Sequence, residues 1–196
     1  MTTSTNEMKA MVSHDEIQGA IDALHTGGLI LYPTDTVWSI GCDATDPVAI
    51  ERICNLRGHR STDDFELLFH SFDLLRRHVA HIHPRLETLL AYHVRPLTVL
   101  FDQPRRLPER LGAPIAARLV QDECCRALIA AYGAPLIATA ASLHGHPYPA
   151  NFGAVSSQVI EGVDYVFKYR QQDKSNGEPS VMVRLSERDE LEFLRE

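Results

Sequence analysis

Lysine is nearly missing from this chain: of 19 basic residues only Lys9, Lys168 and Lys174 are lysines. With 26 acidic residues the formal net charge is −7, which argues against a general binder of phosphate backbones, a class that is normally basic. The remaining cations are arginines, eleven of them from Arg57 to Arg126. Their planar fork suits bidentate recognition of phosphate or carboxylate, although a genome that favours arginine codons produces the same skew. Long apolar runs are also missing. No stretch approaches the roughly 18 residues that a spanning helix needs, so no membrane partner is expected. Met1 to Val12 is polar and holds no apolar stretch of the secretory type, so a cytoplasmic protein is expected. The four cysteines, Cys42, Cys54, Cys124 and Cys125, form no CxxC pair and read as free buried thiols in a reducing compartment. His81-Ile82-His83 and His144-Gly145-His146 have no third ligand at a metal-site spacing and read as loop histidines, so no metal site is expected.

What is present is globular. The chain is 44% apolar and 23% charged, with 11 Gly and 11 Pro in 196 residues, one domain of ordinary size that buries roughly 70% of its unfolded surface without a disulfide or metal. Residues 1–12 read as a flexible polar tail and 13–196 as the domain. Ser13 with Glu16 forms a capping box before Ile17, Ala20, Ile21 and Leu24, and Gly27-Gly28 stops that helix. Asp46-Pro47 caps a second helix that Gly58 closes. Helices are also expected over 71–77, 84–92 and 123–132. Strands are expected over 29–32, 65–69, 97–101, 115–119, 136–139, 165–167 and 180–185. This alternation predicts an α/β sheet layered with helices, mixed because several connections are long and proline-rich.

The most informative segment is Leu29-Ile30-Leu31-Tyr32-Pro33-Thr34-Asp35-Thr36. A buried strand runs into two hydroxyls and a carboxylate at the place where ligands sit in α/β sheets. A turn that satisfies its own backbone explains the same residues equally well.

This segment and its continuation to Gly41 resemble the P-T-[DE]-T-x-Y-G-L signature of the YrdC-like family, whose best-known members are threonylcarbamoyl-AMP synthases. The likeness continues in order through Arg95-Pro96-Leu97-Thr98, Ile115-Ala116-Ala117-Arg118, the Pro135–Pro147 region, Pro179-Ser180-Val181 and Leu194-Arg195. The resemblance implies a single-domain open twisted mixed sheet with helices and a deep concave ligand face. It implies ATP with Mg²⁺, L-threonine or a related amino acid, and bicarbonate as substrates, with no covalent enzyme nucleophile. The product would be threonylcarbamoyl-AMP, used to modify adenosine in tRNA. Carried over by position, Thr34, Thr36, Arg118 and Ser180 would bind the amino acid. Arg57, Arg60, Thr98, Ser142 and Arg195 would approach the nucleotide. On this reading Arg118→Ala should remove small-molecule binding and leave the fold intact.

The departures matter as well. The family's K-G-R-P motif falls on Arg57-Gly58-His59-Arg60, its S-A-N motif on Ala140-Ala141-Ser142, and its P-S-T motif has Val181 in third place. No histidine lies in Phe65–Phe69, although His70 follows it. Concerted losses of polar contacts suggest an altered substrate or weak activity, and the helix before Arg57 is closest to the YciO branch. The alternative is a non-catalytic cavity that binds nucleotide, tRNA or another structured RNA.

Overall fold

The computed structural model describes residues 12–175 and 177–196; residues 1–11 of the expected tail lie outside the described residues. Ser13 accepts a hydrogen bond from the Glu16 N–H at 3.2 Å and opens α1 (His14–His25). Only half of the capping box forms. The Glu16 carboxylate reaches away to accept from the backbone N–H groups of Lys168 and Tyr169, fastening α1 to a distant turn. Asp46 accepts from the Val48 N–H at 2.8 Å at the start of α2 (Pro47–Arg57). Gly58 ends that helix in the left-handed conformation, φ 71°, which costs glycine nothing. Ser71 caps α3 (Phe72–His78), His83 caps α4 (Pro84–Tyr92) and Asp122 caps α5 (Glu123–Tyr132).

The described residues form one mixed sheet in the order β7-β1-β2-β6-β3-β5-β4-β8-β9. In chain order the strands are β1 (Ile30–Tyr32), β2 (Ser39–Gly41), β3 (Glu66–Phe69), β4 (Leu97–Phe101) and β5 (Ile115–Leu119). They continue with β6 (Leu136–Ala140), β7 (Tyr165–Val166), β8 (Val181–Leu185) and β9 (Leu191–Arg195). β3 runs parallel to β5 and antiparallel to β6, while β4 is antiparallel to β5 and parallel to β8. The centre reads as continuous apolar sequence because it is covered: Ile30, Leu31, Leu67, Leu68, Leu136 and Ile137 are all buried.

The α/β class, the mixed sheet and most element positions match the sequence reading. β2, β9 and α6 (Ser157–Glu161) were not anticipated. β2 has three residues and β9 is an edge strand, partly exposed along its length, so neither carries a hydrophobic pattern of its own. No described helix is long and apolar enough to cross a membrane.

Candidate active site

Strand register decides which polar groups meet. Paired residues of neighbouring strands share a face, and the ladder pairs Thr98 with both Arg118 and Met182, Met182 with Arg195, and Glu66 with Ala138. At this place the sheet surrounds a cavity of about 160 Å³ lined by Thr36, Asp64, Glu66, Arg118, Thr139, Tyr148, Ser180 and Arg195, among others. That is smaller than a site holding a whole drug-sized ligand, about 300 Å³ or more. It has room for a small molecule or one end of a larger one.

The turn after β1 is both a self-satisfied turn and a cavity wall. Thr34 Oγ1 donates to the Val37 carbonyl at 2.9 Å and accepts from the Thr36 N–H at 3.1 Å. Its single proton is thereby committed, so in the 2.9 Å contact between the two hydroxyls Thr36 must be the donor. Thr34 builds the turn, and Thr36 presents oxygen lone pairs to the cavity.

Arg118 is the deepest charge, with 1% of its side chain exposed. Its Nη1 lies 2.8 Å from Asp35 Oδ1 and its Nη2 lies 3.1 Å from Glu66 Oε2. The Asp35 contact is close but poorly aimed: among the described residues neither Asp35 Oδ1 nor Arg118 Nη1 makes a directed hydrogen bond, and Arg118 Nε has no partner. Glu66 Oε1 accepts from Ser180 Oγ at 3.0 Å and from Arg195 Nη2 at 3.1 Å. The Ser180 hydroxyl also accepts from Thr98 Oγ1 at 2.7 Å and Arg195 Nη2 at 2.8 Å. Burial alone would push the Glu66 carboxyl up. Arg118, the Ser180 hydrogen bond and Arg195 together outweigh it and hold Glu66 below its ordinary value.

That shift sets an acid response. A carboxylate whose folded value lies below its unfolded value contributes its full stability above the unfolded value, about 4.3 for Glu. The contribution is lost as pH falls through the lower folded value. Urea unfolding followed from pH 7 to pH 3 should therefore show a steeper loss below about pH 4.3 in the native protein than in Glu66→Gln. Parallel pH profiles would remove Glu66 from the account.

A second ionic cluster forms the opposite wall. Arg57 donates from Nε to the Ser142 carbonyl at 3.1 Å and from Nη1 to Thr139 Oγ1 at 2.6 Å, and it pairs with Asp64 at 2.7 Å. His59 and His144, from two segments where the family motifs are altered, stack with ring centroids 3.8 Å apart and planes 12° from parallel.

The expected site residues thus fall into three groups. Thr36, Arg118, Ser180 and Arg195 line the cavity. Thr34, Thr98, Arg57 and Ser142 stand behind it and act through the residues they bond. Arg60 is exposed and not among the lining residues, and its carbonyl accepts from Arg110 at 3.3 Å. His70 does not line the cavity either. It lies just past β3, where burial and then the charges of Arg126 in α5 and Arg77 in α3 lower its value. Glu66, Asp64 and Tyr148 were not singled out from sequence. The one available signal was the unusual acid count in Asp63-Asp64-Phe65-Glu66, immediately after the Arg57–Arg60 motif.

The remaining chemistry-bearing residues are quiet. All four cysteines are free and buried, and burial pushes the Cys124 thiol up to about 12, far from a reactive thiolate. No cluster of three or more metal-ligating side chains occurs among the described residues. Of the eleven arginines, Arg57, Arg76, Arg95, Arg110 and Arg118 are each set against an acid.

The chain is thus an α/β protein with a mixed sheet whose face carries a small ionic cavity closed by strand-end hydroxyls. The chain belongs to the Sua5/YciO/YrdC family, whose model, described as telomere recombination, matches residues 22–196. It is 30% identical over 157 residues to the threonylcarbamoyl-AMP synthase of Xanthomonas euvesicatoria, covering 77% of this chain and 84% of that one. Its fold is that of Escherichia coli YciO, with a TM-score of 0.80 at 23% identity over 94% of this chain and 90% of that chain. It is also that of P. abyssi Sua5 complexed with L-threonine, with a TM-score of 0.82 at 22% identity. The match covers 95% of this chain but only 55% of that Sua5 chain.

Proposed function

We propose that this protein makes a carbamoyl adenylate, L-threonylcarbamoyl-AMP, from ATP, L-threonine and bicarbonate. The observation that carries the reading is the convergence of Thr36, Arg118, Ser180 and Arg195 on one cavity, the positions at which the chain matches the family's motifs. The relatives named as threonylcarbamoyl-AMP synthases support it.

The chemistry needs placement more than a nucleophile. Bicarbonate and the threonine amine condense to an N-carboxylate with loss of water. A carboxylate oxygen then attacks the α-phosphorus of ATP, and the bond to pyrophosphate breaks. The Thr36 lone pairs suit the amine or hydroxyl of a small amino acid. The cavity is too small for a whole nucleotide, so ATP would lie across its mouth, within reach of Arg195. Mg²⁺ would arrive with the triphosphate as part of the substrate. Asp64 and Glu66 are each tied to arginine, and magnesium bound to nucleotide typically keeps waters and phosphate oxygens rather than a protein cage. On this reading the threonylcarbamoyl group passes to tRNA in the cytoplasm.

The test is turnover with ATP, Mg²⁺, L-threonine and labelled bicarbonate, followed by mass spectrometry. A threonine-dependent carbamoyl adenylate with equimolar pyrophosphate is expected. Nucleotide binding by folded protein without that product would overturn the synthase reading in favour of a binding module.

A further inference from the structure

The charges of the cavity cancel. Arg57, Arg118 and Arg195 stand against Asp35, Asp64 and Glu66, each arginine within ion-pair distance of at least one of these acids. A site that receives several phosphate or carboxylate groups normally keeps uncommitted cations for them. Here the Ser180 and Arg195 donors are engaged, and Arg118, whose Nε and Nη1 make no directed hydrogen bond, is held between two carboxylates. The Ser180 hydroxyl gives its proton to Glu66 and fills both lone-pair directions with Thr98 and Arg195. Arg195 Nε is held by the Ser180 carbonyl at 2.7 Å. Arg118 is sealed, and one side of its fork is closed by the Glu66 carboxylate.

We propose that Glu66 is a specificity-determining residue of this cavity: its carboxylate occupies the seat between Arg118, Ser180 and Arg195 that a ligand anion would take. The cavity then disfavours a second anion and receives ligands through their donors, an ammonium or a hydroxyl. Those donors would meet the Thr36 lone pairs and the Asp64 carboxylate, whose side chain is 52% exposed. The inference rests on the reading of this cavity as the ligand site and deepens it. A polyanion must either stay at the mouth or displace Glu66.

The probe is inorganic pyrophosphate, titrated calorimetrically into the full chain at pH 7.5 and low salt. Glu66→Gln keeps the size of the side chain and removes its charge. It should bind pyrophosphate about ten-fold tighter or more than the native protein, the scale of one charge-assisted hydrogen bond freed for the ligand. Glu66→Asp keeps the charge and should stay as weak as the native protein. Equal affinities in all three proteins, or equal gains in Gln and Asp, would overturn the proposal, as would pyrophosphate binding by none of them. Should Glu66→Gln fail to fold, Glu66→Thr, a strand former, gives the same reading. The turnover assay keeps the two ideas apart. Synthesis by native protein without a gain in Glu66→Gln sinks this inference alone. A gain without synthesis leaves it standing and sinks the reaction.

Discussion

Arg118→Ala should lose about 3–5 kcal/mol of folding stability at pH 7, the range found when one partner of a buried ion pair is removed. For a domain of this size that corresponds to a fall in Tm of roughly 6–20 °C. The physical reason is what remains. Asp35, 8% exposed, and Glu66, 16% exposed, would face a vacated space. Glu66 would keep Arg195 and Ser180, and Asp35 would keep the Gln121 N–H at 3.0 Å. This corrects the expectation that the substitution spares the fold: the arginine that looks like a ligand clamp is also the central charge of the sheet. The pH dependence separates this cause from a simple cavity. With Arg118 removed, Glu66 loses the first of the two cations that hold it down, so its folded value rises. The variant then binds protons more readily when folded and gains relative stability as pH falls. The deficit against the native protein should shrink between pH 7 and pH 4. A deficit below about 1 kcal/mol, or one that does not change with pH, would show that Arg118 behaves as a surface ion pair.

Much of the frame is legible because its signals are local. Ser13, Asp46, Ser71 and Asp122 are caps that act within three residues of themselves, and each opens a helix in the structure. Arg118 is flanked by Ala116, Ala117 and Leu119 on an apolar strand, a setting that points inward, and it is buried in the structure. What sequence does not carry is the partner. Glu66 reads as one charge in an apolar strand, and only the parallel pairing of β3 with β5 brings it beside Arg118. Arg57 reads as a phosphate ligand until the fold of α2 against β6 gives it Asp64, Thr139 and the Ser142 carbonyl. Glu16 is the same lesson in reverse. A local rule assigned it to its own helix end, and a segment from the far end of the chain claims it instead. Motifs located the cavity, but long-range pairing decides whether its cations are available.

Gly177→Ala should damage ligand binding more than stability, because it separates two walls of the cavity without touching a polar group. A Cβ at this position would overlap the Thr36 carbonyl oxygen and stand 2.9 Å from the Thr36 carbonyl carbon and 3.2 Å from Val37 Cα. All three are backbone atoms, so no side chain can swing aside. Either the 34–37 turn or the segment carrying Pro179 and Ser180 must move. The turn is pinned by the Thr34 hydroxyl and by Arg170, which donates to the Thr34 carbonyl at 3.1 Å. On the other side Gly177 itself is held by one N–H bond to the Ala150 carbonyl at 3.3 Å, so this segment gives way first and pulls on the bonds of Ser180. Ser180 is then drawn from Glu66, and the wall carrying Pro179 shifts relative to the wall carrying Thr36. Overpacking of this kind costs about 1–3 kcal/mol, which leaves the domain folded. Threonine-dependent product formation should fall by at least about ten-fold, the equivalent of about 1.4 kcal/mol of misplacement. Gly145→Ala is the control: its Cβ meets open space, and only its φ of 78° opposes it, so it carries backbone strain of about 1–2 kcal/mol without driving the walls apart. If the two variants lose product formation equally, the loss follows from stability. If Gly177→Ala alone loses it, the close approach of the 177–180 segment to the Thr36 turn is what shapes the cavity.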